Sequence, residues 1–211
     1  MGVLISQLGL FEEGTALNDV IDDEDEPIVA AALQGLGLPM VAVQRLKPWM
    51  VGLQMSLLQI QQAGYDPASG VETILTAEAR EAGKSIVYLE TLEEQLNFLA
   101  AGDIEDQVEA LIFTAQTAEL GASLLDSLVN EWADGDIAGL GAIVANPEAI
   151  GGQEAYDTLL VNRNKNWVPE IRAMLEVPGT VFVAVGAAHL AGPDSVITML
   201  RAEGLEVAGP G

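Results

Sequence analysis

The sequence has no cysteine, which removes disulfide frameworks, thiol catalysis, iron–sulfur centres and cysteine zinc sites from consideration. That absence does not fix a compartment, because a periplasmic protein can dispense with disulfides. Aromatic residues are scarce, at 5%, so the core must be built from Leu, Val, Ile, Ala and Met. Side chains of that size favour closely packed helices. Basic residues are few: 8 Lys and Arg stand against 32 Asp and Glu, for a net charge of −24. Phosphate contacts need Lys and Arg, so nucleic-acid binding is excluded, and docking on anionic lipid headgroups is disfavoured. The acidity reads as a solvated surface that maintains solubility; a saline habitat fits equally well, and a cationic partner is the narrower reading. No run approaches the roughly 18 uncharged apolar residues of a membrane span. The opening residues, MGVLISQLGLFEEG, lack the basic start and long apolar stretch of a signal peptide, so no leader is expected. There is no Walker A loop, no G-x-G-x-x-G after a strand and no H-E-x-x-H. Ser195 lacks a G-x-S-x-G elbow and is not a nucleophile.

What remains is a chain that should fold. Half of its 211 residues are hydrophobic and 19% are charged, enough for one domain with a real core. Residues 3–10 read as a short strand or hairpin arm. The acidic cluster Asp19, Asp22, Asp23, Glu24, Asp25 and Glu26 lacks the glycine and distal glutamate of a calcium loop. It reads as a solvated loop ahead of a helix opened by Pro27. Pro48 predicts the start of another helix, running to Gly64. A helix over about 71–82 comes next, ended by Gly83. SIVYLE (85–90) is a compact β-rich run suited to a buried strand. Thr91 and Glu94 then form a capping box for a helix over about 92–100.

The pattern is helical from about 103 to 176, a helical subdomain, with a break expected near Gly121 and a fresh helix expected at Pro169. TVFVAVG (180–186) carries no charge and reads as a central strand covered on both faces. A helix over about 193–203 and a final strand, LEVAG, complete the chain. This order predicts an α/β fold, a mixed β-sheet flanked by many helices. Three or four strands are few for so many helices. The sheet is therefore expected to be incomplete in this chain, with an open edge that a homodimer could cover.

Chemistry concentrates where strands are expected to end. Gly186 closes TVFVAVG and lets the backbone turn or approach a ligand closely. His189 lies just past it, beyond the carboxyl end of a strand, where α/β proteins collect ligands and catalytic groups. A lone histidine is more often structural; this one is the single His in the chain. Glu90 ends the other expected strand, where a carboxylate could be a metal ligand, a general base, a partner for a basic residue, or a stabiliser of the helix start. Arg163 lies among apolar helix residues and could pair with a glutamate or meet an anionic transition state. Trp49, Trp132 and Trp167 lie in apolar helical contexts and are expected in the core.

The phrases GYDPASGVE (64–72), GKSIVYLETLEEQ (83–95), WADGD (132–136), NRNKNW (162–167) and FVAVGAAHLAG (182–192) resemble, in this order, the TraB/GumN family. That group includes pheromone-shutdown proteins and the Tiki metalloproteases. The resemblance covers nearly the whole chain from Leu8. It implies one domain over 1–211 with a mixed α/β fold related to erythromycin-esterase and haem-uptake-type domains. It also implies a hydrolase-like activity, namely a divalent-metal-dependent peptidase. His189 of the second GxxH motif (Gly186–His189), Glu90 and Arg163 match its active-site residues, with His189 and Glu90 as metal ligands, Gly186 in the binding motif, and Glu72 at an often acidic position. The family's first GxxH motif has no counterpart here, so the chain looks shortened at its N-terminus, and an inactive form is one expectation. The alternative is a non-catalytic module that binds a peptide, haem or small ligand. Family members are often periplasmic or membrane-associated.

Overall fold

The computed structural model describes residues 2–209. In chain order its α-helices are α1 (Gly2–Gly9), α2 (Glu26–Gly35), α3 (Met40–Val43), α4 (Pro48–Gln62), α5 (Val71–Glu81), α6 (Leu92–Leu99), α7 (Ile104–Gln116), α8 (Ala118–Asp134), α9 (Ile137–Val144), α10 (Gln153–Tyr156), α11 (Asn162–Leu175) and α12 (Val196–Ala202). Several begin as the sequence predicts. Pro48 opens α4, where its missing N–H costs nothing. At α6 the Glu94 amide donates to Thr91 Oγ1 at 3.2 Å, while the Thr91 amide donates back to Glu94 Oε2 at 2.7 Å. The Thr91 backbone N–H, then its hydroxyl, hold the Glu94 carboxyl below the ordinary carboxylate range. Ser195, buried, caps α12 by accepting from the Thr198 amide at 3.2 Å.

The expected α/β fold with a mixed sheet is overturned: the described residues contain no β-strand and no sheet. Their one isolated bridge joins Leu10 to Leu46. Residues 3–9, read as a strand, lie in α1. The two charge-poor runs, 85–90 and 180–186, are irregular segments without ladder partners. Far from being covered on both faces, Tyr88 is 73% exposed and Phe182 76% exposed. The closing LEVAG is not a strand either; the Arg201 guanidinium holds it through the Val207 and Gly209 carbonyls, each at 3.1 Å. β-Propensity describes how a side chain fits a pleated, half-buried surface, and an extended run without a neighbour to pair with has no such surface. Two helix boundaries also differ from expectation. The break between α7 and α8 falls at Thr117 and leaves Gly121 inside α8, and Pro169 lies within α11 instead of starting a helix.

The chain divides into two compact units, Met1–Leu125 and Asp126–Gly211. In the first, α7 packs on α4 and α2. Leu17, Val29, Leu33, Val43, Val51, Met55 and Leu111 are sealed from solvent there. In the second, Leu140, Val144, Tyr156, Leu160, Val161 and Ala191 form the core, and α12 packs on α11. An exposed ion pair, Arg172 to Glu203 at 2.7 Å, links α11 to the residue just past α12, a contact that contributes at most about 1 kcal/mol. No helix among the described residues is long and apolar enough to cross a membrane.

Candidate functional site

The second unit places His189 on a single 3-10 turn, Ala187–His189, whose start is Gly186. The His189 amide donates to the Gly186 carbonyl at 2.9 Å and closes the turn. Beyond it the chain reverses at Gly192, where φ is +86°, a region that an L side chain enters only with strain. A Cβ on Gly141 of α9 would stand 3.1 Å from the Gly192 nitrogen. The bare backbone of α9 therefore lets the histidine loop settle directly against it. Gly186 has no such need: its φ is −56°, and an added Cβ would meet only His189 Cδ2, at 3.6 Å.

Facing this loop is α11. Between α10 and α11, residues Asp157–Val161 form a π-helical turn, a local widening by one residue. From α10 through α11 the buried positions are Tyr156, Leu160, Val161, Asn164, Trp167, Val168 and Ile171, spaced by threes and fours as the inward face of a helix must be. Asn164 is the polar member of that stripe and is 1% exposed. A buried amide has to find partners, and this one does. Its Nδ2 donates to the Asp194 backbone carbonyl at 2.7 Å, and its Oδ1 lies 2.7 Å from His189 Nδ1. The Trp167 ring lies against the imidazole, centroids 4.4 Å apart and planes inclined at 49°. The Arg163 guanidinium stands over the indole, 5.1 Å from its centroid, within cation–π range. Arg163 Nη1 also donates to the Leu159 carbonyl of the widened turn at 3.2 Å.

Three of the residues predicted from sequence are thus brought together: His189, Arg163 and Gly186. Glu90 lies in the first unit, half-buried, immediately before the Thr91 cap. Glu72 is exposed in the first turn of α5. The paired strand ends that were to deliver Glu90 and His189 into one cleft do not exist among the described residues. Asn164, Asp194 and Tyr156 were missed, and Trp167, expected as core and indeed buried, proves also to be the aromatic surface on which the histidine rests. The signal for Asn164 was present in the sequence: an asparagine on an otherwise apolar helical stripe.

Tyr156 supports the same loop. Its hydroxyl donates to Asp194 Oδ2 at 2.9 Å, so one residue, Asp194, receives hydrogen bonds from both Tyr156 and Asn164. Burial first, then the bond to the Asp194 carboxylate and its charge, pushes the Tyr156 phenol from 10.0 to about 12. Above pH 10 the unfolded chain loses this proton while the folded chain keeps it. Stability is therefore intact below pH 10 and falls as pH rises towards 12. Tyr156→Phe should remove that alkaline loss, at a cost near neutrality of about 0.5–1.5 kcal/mol for the lost hydrogen bond. Urea midpoints at pH 8 and pH 11 measure both effects.

A divalent ion generally takes three or more protein ligands. No group of three His, Cys, Asp or Glu side chains among the described residues could hold one, and the Nδ1 of the single imidazole is already engaged by Asn164. One polar atom stands out in the same cluster: the Trp167 indole N–H is buried without a hydrogen-bond partner.

A family model described as the TraB/PrgY/gumN family matches residues 1–208. Among curated proteins, the chain is 27% identical over 187 residues to YbaP, an uncharacterized protein of Escherichia coli K12, covering 88% of this chain and 68% of that one. It is 25% identical over 177 residues to an uncharacterized protein of Treponema pallidum, covering 79% of this chain and 53% of that one. No solved structure gives a significant match.

Proposed function

The chain belongs to the TraB/PrgY/gumN family, and from that premise we propose that its second unit carries the acid–base part of a hydrolase-like site acting on a peptide or small-molecule carbonyl. The observation that supports the reading most is the single histidine, 6% exposed, held at Nδ1 by a buried asparagine and seated on Trp167 beside Arg163. In this reading His189 takes a proton from the attacking water and passes it to the leaving group. Arg163 supplies positive charge where the carbonyl oxygen becomes anionic.

The finer, divalent-metal form of the reading takes His189 as a ligand. When bound, a divalent ion would polarise the carbonyl and activate water. One ligand is too few to route a step through it, so metal enters as an arm of the test. A second reading, a ligand-binding module without turnover, draws on the unpaired Trp167 N–H. A buried donor left alone costs roughly 1–3 kcal/mol, and an acceptor oxygen on a ligand would recover that cost.

The experiment is cleavage of a peptide panel by the full chain, with EDTA and with added zinc or manganese, alongside His189→Gln. Glutamine can still donate to Asn164 Oδ1 but cannot shuttle a proton. Cleavage should fall at least about 100-fold, the contribution typical of a general acid–base group. Undiminished cleavage by His189→Gln removes the hydrolase reading. Peptide binding without turnover, indifferent to EDTA, replaces it with the binding module.

A further inference from the structure

We propose that Asn164 is a positioning residue that holds His189 in one neutral tautomer, with the proton on Nδ1 and the lone pair on Nε2. This assignment deepens the hydrolase reading, in which His189 is the proton carrier, but it stands on hydrogen-bond geometry alone.

An asparagine amide has one accepting end and one donating end, and which end faces a neighbour decides what that neighbour must be. Here both ends are engaged. On one side, 2.7 Å away, is the backbone carbonyl oxygen of Asp194. A carbonyl can only accept, so the end facing it must be the NH₂. The oxygen then faces His189 Nδ1 at 2.7 Å. An amide oxygen can only accept, so Nδ1 must carry the hydrogen. Turning the amide over would set oxygen against oxygen at Asp194, and no choice of imidazole proton could relieve that contact. The Asp194 carbonyl, a fixed backbone acceptor, thus dictates the tautomer of a histidine two hydrogen bonds further along the network.

The surroundings keep the arrangement rigid. Asn164 is 1% exposed and His189 is 6% exposed, so water does not compete readily for either amide end. Tyr156 anchors Asp194 through its carboxylate at 2.9 Å. The 3-10 turn closed by the Gly186 carbonyl fixes the His189 backbone, and the Trp167 ring limits the tilt of the imidazole. Orientation of a catalytic imidazole by an acceptor at Nδ1, leaving Nε2 as the basic nitrogen, is the arrangement that proton shuttling requires. A neutral amide in that role sets the tautomer without adding a negative charge to an already acidic protein.

Because the chain has one histidine, a two-bond ¹H–¹⁵N correlation spectrum of the uniformly ¹⁵N-labelled protein, recorded at a pH where the imidazole is neutral, reports on His189 alone. The expected wild-type spectrum has Nδ1 at a protonated-nitrogen shift and Nε2 at an unprotonated one. Asn164→Ala should weaken that preference by about tenfold, the worth of a typical net hydrogen bond, and give averaged shifts. A wild-type spectrum with the proton on Nε2 overturns the proposal, as does a folded Asn164→Ala that keeps the wild-type pattern. If circular dichroism shows Asn164→Ala unfolded, the wild-type spectrum decides alone. None of these readings involves turnover. The Nδ1–H tautomer without His189-dependent cleavage leaves the positioning role intact and removes the hydrolase reading; cleavage with the proton on Nε2 does the reverse.

Discussion

Trp167→Ala should lower the stability of the second unit by about 3–5 kcal/mol, the range for emptying a buried aromatic site. Trp167 is 4% exposed, and three things lean on its ring: the packing of α11, the imidazole of His189 and the guanidinium of Arg163. The loss should sit towards the lower end, because the indole N–H is buried without a partner and removing it also removes its desolvation penalty. For the same reason Trp167→Phe should cost far less than Trp167→Ala, since it keeps a ring under His189 and deletes the orphan donor. Chemical denaturation compared across the two variants measures the difference. Equal losses would mean that the N–H is satisfied in solution.

Leu111→Ala should cost about 2–5 kcal/mol in the first unit, the spread reflecting how far the site can collapse. Leu111 is 1% exposed on α7, the helix that packs on both α2 and α4, so no single neighbour can move in to fill the gap. Met55 and Val51 of α4 and Val29 and Leu33 of α2 share its core. Hydrogen exchange read by mass spectrometry should show faster exchange across 104–116 and 48–62. Protection unchanged there would place the stability of this unit elsewhere.

The helices were legible because their signals are local. Pro48 marks a start by its ring, Thr91 and Glu94 by reciprocal bonds three residues apart, and Gly83, at φ +64°, an end that β-carbon-bearing residues resist. The sheet was misread because strand formation is not local. SIVYLE and TVFVAVG have the composition of buried strands, yet a strand exists only where another backbone completes its hydrogen bonds, and none of the described residues does so. The expectation that the two runs are strands of one sheet therefore fell.

The candidate site was half legible. His189 stood out by rarity and Arg163 by its scarcity in so acidic a chain, and the two do meet, through Trp167. That meeting was encoded as well: Arg163 and Trp167 are four residues apart on a helix and so share a face. Asn164 was the larger omission, because pattern reading treats a polar residue as solvent-facing unless the stripe around it is drawn first. Asp194 and Tyr156, 38 residues apart in sequence, could be joined only by the fold.

The widened turn at Asp157–Val161 makes chain length itself a functional quantity. Each residue added to or taken from a helix rotates its downstream part by about 100° relative to its upstream part. Tyr156 stands before the bulge and Asn164 after it, yet both grip Asp194. With one residue deleted, the helix would run regularly from α10 into α11, and only one of the two could still reach. The surplus residue acts as the phase setting of the helix, and a single-codon deletion there would uncouple the tyrosine from the asparagine without changing either.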